Sequence, residues 1–242
     1  MSWATVRRER RPDGRVVAVK ETTYDAALEA DGLAALREVG VPVPEVLEVA
    51  DRRLVMEWVD GPADWEAVGR GLALAHTTTA DAFGYHQDNV IGPLPQSNRW
   101  CDDWAAFYVE QRLLPFVDEL PADLTRRLRR ACDGPLRELL AAHAPSPGLV
   151  HGDLWSGNVV AGRSLVDPAV CFADPELDRA FSELFGGLPA ALWAAHDEVA
   201  PPAPGWRERI PALQLYHLLV HVRLFGGPYV EMVAERLRHY GW

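Results

Sequence analysis

The stretch His151-Gly152-Asp153-Leu154-Trp155-Ser156-Gly157-Asn158 places a carboxylate and a carboxamide five residues apart in one loop. A second carboxylate, Asp167, follows after the short run Ser164-Leu165-Val166. Phosphoryl transfer asks for such a set. It needs little covalent help from the protein, but the acceptor hydroxyl must be positioned and the phosphate charge neutralised. Asp153 is the candidate base for the hydroxyl proton. Asn158, through its amide oxygen, and Asp167 are candidate ligands for Mg²⁺, which takes oxygen donors and few protein groups. The H-x-D-L-x-x-x-N pattern with a following Asp is the arrangement used by kinase-type phosphotransferases.

A fourth group stands out by composition. The chain carries one lysine, Lys20, against 23 arginines. An ammonium is a compact point charge and a guanidinium a broad planar fork, so a lysine retained under such a bias is a candidate functional residue. It ends the apolar run Val16-Val17-Ala18-Val19, which reads as a buried strand. Glu29, on the helix expected to follow, is the candidate partner that holds Lys20 for the α- and β-phosphates of ATP.

The elements that must position these groups divide the chain in two. Residues 1–60 read as antiparallel strands plus one helix. Pro12-Asp13-Gly14 is a hairpin turn, and Thr22 or Thr23 is the expected cap of a helix with Leu28, Gly32, Leu36 and Val39 on one face. Strands are expected at Val46 to Val49 and at Leu54 to Trp58. The segment through Glu57, Val59 and Gly61 reads as a connector whose backbone meets adenine. Residues 61–242 read as mostly helical, with helices at Ala67 to Thr77, Asp103 to Leu114, Leu124 to His143, Glu176 to Leu184 and Pro211 to Tyr240. Short apolar stretches at Gly148 to His151 and Ser164 to Asp167 interrupt them.

Composition narrows the function further. A net charge of −11 disfavours a nucleic-acid binder. No apolar run reaches membrane-spanning length, and the N-terminus has charge but no apolar segment of a signal peptide. Cys101, Cys132 and Cys171 are odd in number and widely spaced, which fits free thiols in a reducing cytoplasm better than disulfides or a zinc site. His217 and His221 have i, i+4 spacing without a third ligand and read as helix packing or polar contacts.

Taken together, these residues resemble the fructosamine kinase (ketosamine-3-kinase) family of the protein-kinase-like, aminoglycoside-phosphotransferase-like superfamily. The loop with Trp155 carries most of the resemblance, supported by Asp167-Pro168-Ala169, Glu176-Leu177-Asp178, Phe83-Gly84, Asn89, Ile91-Gly92 and Leu224-Phe225-Gly226-Gly227. The resemblance implies a two-lobed α+β fold with a small antiparallel-sheet N-lobe and a helical C-lobe. It implies ATP- and Mg²⁺-dependent phosphorylation of the sugar 3-hydroxyl in ketosamines, free or protein-bound, by a cytoplasmic monomer or weak dimer. Trp155, Gln96, Asn98, Trp104 and Arg112 are the residues it points to for the acceptor pocket, and Asp178 is expected to brace the catalytic loop.

Two departures qualify the match. The hairpin before Lys20 leaves no room for a preceding strand and Gly-rich phosphate loop, so both are expected to be missing. Cys171-Phe172-Ala173 replaces the family's usual aromatic residues and glycine. Two alternatives therefore stand beside the main reading: a kinase of the aminoglycoside or choline type, and a nucleotide-binding relative with impaired catalysis.

Overall fold

The computed structural model describes residues 3–242. Strands β1 (Ala4–Arg10), β2 (Val16–Thr22), β3 (Val46–Ala50) and β4 (Arg53–Glu57) form one antiparallel sheet in the order β1-β2-β4-β3. The turn between β1 and β2 lies where Pro12-Asp13-Gly14 predicts it. Alternation along β2 puts Val17 and Val19 on one face, buried with Val55, and Lys20 on the other. Helix α1 (Ala26–Glu38) packs on that second face. Its cap is Asp25, whose side chain accepts from the Ala27 amide, in place of the expected Thr22 or Thr23. The Thr22 hydroxyl instead donates to the Tyr24 carbonyl. The buried stripe of α1 is Ala26, Glu29, Leu33 and Leu36, while Leu28 is only half-buried.

The rest of the chain is mostly helical, with three of the expected helices altered in detail. Helix α2 spans Trp65–Thr77, and the hairpin β5 (Asn89–Ile91) and β6 (Leu94–Gln96) follows it. The helix expected from Asp103 to Leu114 begins as α3 (Trp104–Phe107), then widens into a π-helical turn over Tyr108–Leu113 and a 3₁₀ segment over Leu114–Glu119. Gly134 and Pro135 split the next expectation into α4 (Ala122–Asp133) and α5 (Pro135–Ala141). Short strands β7 (Gly148–Val150), β8 (Val159–Val160), β9 (Ser164–Leu165) and β10 (Cys171–Ala173) flank the loops that carry Asp153 and Asp167. Helix α6 covers Glu176–Leu184, as expected. Helix α7 (Ala190–Asp197), for which the sequence reading gives no element, lies along α2. Gly226 and Gly227, both at positive φ, break the last helix into α8 (Trp206–Phe225) and α9 (Pro228–His239). The main core joins Leu33, Leu36 and Leu54 of the first part to Leu72, Phe107, Leu128, Leu215 and Leu219 of the second. All three cysteines are free, two of them buried. Among the described residues, no helix is long and apolar enough to cross a membrane.

An ion cluster fixes the start of α6. Arg209 grips both oxygens of Glu176, at 2.7 and 2.6 Å, and His143 Nε2 lies 3.3 Å from Asp174 and 3.5 Å from Glu176. The hydrogen bond to Asp174 raises the His143 pKa, against partial desolvation and the Arg209 charge. A histidine whose folded pKa is raised adds stability below its unfolded value of about 6.5, and loses it as pH climbs through the folded value. We therefore expect His143→Gln to cost stability at pH 6 and progressively less by pH 9. Urea midpoints of the two proteins across that range check this; a constant difference would show that His143 is not charged in the fold.

Candidate active site

Lys20 leaves β2 on the face covered by α1 and is 1% exposed. Its ammonium donates to Glu29 Oε2 at 2.6 Å and to Asp167 Oδ1 at 2.5 Å. Burial acts to lower the lysine pKa, but the two carboxylates outweigh it and hold the group charged, above the ordinary lysine range. Glu29 is buried as well, and desolvation pushes its pKa up against the pull of Lys20. The Tyr24 hydroxyl donates to Glu29 Oε2 at 2.9 Å, while Glu29 Oε1 is buried without a protein partner.

Two backbone features shape the His151–Asn158 loop. Gly152 has φ +81°, and a Cβ there would meet the Ala169 carbonyl oxygen at 2.1 Å, so only glycine lets the two loops touch. Gly157 lies under the Trp155 ring, which a Cβ would strike at 2.3 Å. The Asp178 carboxylate, buried in the first turns of α6, accepts the His151 amide at 2.7 Å and the Gly152 amide at 2.8 Å. It also meets His76 Nε2 at 3.1 Å. Burial would raise its pKa; the His76 contact, the nearby His151 and the amide bond lower it below the usual carboxylate range, so Asp178 stays ionised. From behind, His217 Nε2 donates to the Gly152 carbonyl at 2.8 Å, its ring stacked on Phe181 and its pKa depressed to about 3 by burial.

This frame turns Asp153 and Asn158 toward each other. The Asn158 amide donates to the Asp153 carbonyl at 2.8 Å and to its carboxylate at 2.9 Å. Both amide hydrogens are thereby used, which leaves the Asn158 oxygen as the group available to a cation. Asp167 stands at φ +56°, a left-handed conformation that Asp tolerates better than most residues. Its side chain is 44% exposed. Desolvation pushes the Asp153 carboxyl up to about 7, with Asp167 and Asp178 adding to the rise and Asn158 and Lys20 opposing it.

Lys20, Tyr24, Glu29, Asp153, Asn158 and Asp167 all line one cavity of about 470 Å³. Its far wall is aromatic. Trp155 and Phe185 join His221 and Phe225 of α8 and Tyr229 of α9; His221 lies 4.9 Å, centroid to centroid, from both Phe185 and Tyr229. His221 Nδ1 donates to the His217 carbonyl at 2.7 Å, and burial lowers its pKa, so the ring is neutral. The oxygen donors and lysine on one side suit Mg²⁺ and phosphates, and the orphaned Glu29 oxygen beside Lys20 shows polar capacity still unspent.

Four residues expected at the acceptor pocket are elsewhere. Trp104 is 3% exposed and packs among Phe83, Phe107 and Tyr108. Gln96 donates to Asn89 Oδ1 at 2.8 Å and to the Ala169 carbonyl at 3.1 Å, and accepts from Tyr216 at 2.5 Å. Asn98 donates to Asn89 Oδ1 at 2.9 Å, and Arg112 donates to Asn98 Oδ1 at 2.6 Å over the Phe107 ring. Linked through the shared Asn89 Oδ1, these three form one buried network that braces the Ala169 segment from behind. Glu57 is exposed and accepts from the Glu45 amide at 3.3 Å; it and Val59 sit at the end of β4 and in the connector, outside the lining of this cavity. Tyr24, Phe185, His221, Phe225 and Tyr229 are walls that the sequence reading does not assign to the site: Phe225 enters it only within the Leu224-Phe225-Gly226-Gly227 match, and His221 only as a helix-packing residue.

The fructosamine kinase family model matches residues 17–240. The chain belongs to the fructosamine kinase family. A probable ketoamine kinase from Synechocystis is 37% identical over 231 residues, covering 88% of this chain and 76% of that protein. Another from Escherichia coli is 35% identical over 224 residues, with 86% and 78% covered. A candidate fructosamine-3-kinase from Thermobifida fusca, solved by crystallography, superimposes with a TM-score of 0.87 at 38% identity, covering 98% of this chain and 90% of that one. Family membership makes this chain an ATP-dependent phosphotransferase of the sugar-amine kinase type with the two-lobed protein-kinase-like fold.

Within that fold, Asp178 holds the His151-Gly152 backbone next to Asp153. Asp178→Asn keeps the shape but loses the charge and turns an N–H toward amide donors. We expect a lower unfolding midpoint and at least tenfold lower turnover, as losses of supporting groups typically cost. Urea titration alongside steady-state ADP release reads both; wild-type turnover would show that the loop does not depend on that carboxylate.

Proposed function

We propose that this chain transfers the γ-phosphoryl group of Mg·ATP to the sugar 3-hydroxyl of ketosamines, meaning fructosamine or ribulosamine adducts on small amines or proteins. In this reading, Asp153 accepts the proton of the attacking hydroxyl. Its raised pKa suits a base working near neutrality. Lys20, held by Glu29, neutralises the α- and β-phosphates. Asn158 and Asp167 hold Mg²⁺, which supplies charge neutralisation at the transferred phosphoryl group.

The observation that carries the reading is one cavity with two unlike walls. Lysine, carboxylates and a carboxamide line one side, and aromatic rings line the other. Flat aromatic faces suit the apolar face of a sugar ring, and they attract a protonated amine nearby. A ketosamine presents both groups side by side. Trp155, 37% exposed on the catalytic loop, stands between the two walls.

Asp153→Asn should lower turnover by about 10²–10⁴-fold, the usual contribution of a general base. The assay is Mg·ATP-dependent ADP release with fructosyl-lysine, a ribose-derived ketosamine, an aminoglycoside and no acceptor, with circular dichroism to confirm folding. Release with ketosamines alone supports the proposal. Release with the aminoglycoside alone moves the chain to another acceptor class. A folded variant within about threefold of wild type removes Asp153 from the role of base.

A further inference from the structure

The register of β1 sorts its arginines onto two faces of the sheet. Residues directly opposite in an antiparallel pair project to the same side. Arg7 faces Val19, Arg8 faces Ala18, Arg10 faces Val16, and Val6 faces Lys20. Arg7 is therefore on the outer face, where it pairs with Glu21 at 2.8 Å. Arg11 follows the same alternation and meets Glu48 of β3 at 2.6 Å. Those cations are spent on neighbouring carboxylates.

Arg8 and Arg10 lie on the inner face, the face from which Lys20 enters the cavity. Arg10 donates to the Gly14 carbonyl at the hairpin turn, at 3.1 Å. Arg8 has no carboxylate partner among the described residues. Its guanidinium instead crosses β2 and sits over the Trp58 ring, 5.2 Å from the centroid. Trp58 is the first residue after β4. Glu57 pairs with Val17 on the outer face, so Trp58 comes next on the inner face. Between them lie the half-buried Val16 and the small, half-buried Ala18. The inner face beside Lys20 thus carries two half-buried side chains, with a planar cation and an aromatic ring at its connector end.

We propose that Arg8 is a nucleotide-binding residue that covers the base of ATP from the sheet side. The inference rests on ATP being the phosphoryl donor. Ala18 is two positions from Lys20 along β2, about 7 Å toward the connector, which is the offset between the phosphates and the base end of the site. A guanidinium plane stacks on a purine as it does on an indole. Its contact with Trp58 is exposed, hence weak, so the side chain can exchange the indole for the base or lie across both.

The test is ATP binding to the whole protein without acceptor, followed by tryptophan fluorescence and calorimetry. Arg8→Ala should raise the ATP dissociation constant by about three- to thirtyfold. Arg8→Lys should behave like the alanine variant, because it keeps the charge but loses the plane. Inorganic tripolyphosphate, which has no base, should bind wild type and Arg8→Ala equally. Arg7→Ala, on the outer face, should match wild type for both ligands. An Arg8→Ala constant within twofold of wild type overturns the inference, as does full restoration by Arg8→Lys or an equal loss of tripolyphosphate binding. If wild type itself fails to bind ATP, the donor assignment falls, and this inference with it.

Discussion

One buried ammonium joins the two halves of this protein. Lys20 of β2 reaches Glu29 on α1 and Asp167 in the helical part, across 147 residues of sequence in the second case. Removing such charges from water costs several kcal/mol per ion, and the mutual attraction offsets that only when geometry is close and every partner is present. The contact therefore constrains three elements at once: the strand register, the rotation of α1, and the left-handed turn at Asp167. It also explains why Tyr24 lies against Glu29. A buried carboxylate facing one lysine has hydrogen-bonding capacity to spare, and the phenol takes part of it.

The Asp167 end of that contact is held in turn by the catalytic loop. The His151 carbonyl accepts the Ala169 amide at 2.9 Å, and His151 Nε2 donates to the Val166 carbonyl at 3.0 Å; burial lowers the His151 pKa and keeps the ring neutral. Asp178 then fixes the loop through two amides, and His76 and His196 continue the chain of contacts outward, His76 Nδ1 lying 2.9 Å from His196 Nε2. A neutral His196, its pKa lowered to about 4 by burial, and an ionised Asp178 make the polar line compatible with the interior. Positioning of the Asp153 carboxylate is thus a property of helices α2, α6 and α7, none of which contributes a side chain to the side of the cavity lined by Lys20, Asp153 and Asp167.

Legibility in the sequence followed the range of the interaction. Lys20, Glu29, Asp153, Asn158 and Asp167 meet in space, and each pair within one element was readable from local spacing. The sheet, the hairpin turn and α6 were readable for the same reason. Helix α7 was not, because Ala190–Asp197 is short, begins without a side-chain cap and is stabilised by packing on α2. The breaks at Gly134 and Gly226 ran against a hydrophobic period that continues across them. Gln96, Asn98 and Arg112 were assigned to the pocket only through the family resemblance; here two carboxamides, a guanidinium and Asn89 form one buried network in the interior. The aromatic wall was hidden in the opposite way: His221, Phe225 and Tyr229 look like core periodicity, and only the turn at Gly226 brings α9 back so that their rings face the cavity.

The contrast between 23 arginines and one lysine has a structural counterpart. Several arginines here work as planes. Arg179 lies over the rings of Trp193 and Trp206, at 4.2 and 4.8 Å, Arg112 over Phe107 at 4.6 Å, and Arg209 grips Glu176 with two nitrogens. A planar fork pays off where it can stack or bind a carboxylate edge-on. Between Glu29 and Asp167 the requirement is different. Two carboxylates approach a single nitrogen at 2.6 and 2.5 Å from different elements, at a point with almost no exposed surface. A tetrahedral ammonium with three donors meets both and keeps a third hydrogen for the cavity. A guanidinium would need a wider gap in the plane of its fork, forcing α1 away from β2. Arginine-rich composition thus leaves lysine at the one site whose geometry calls for a point charge.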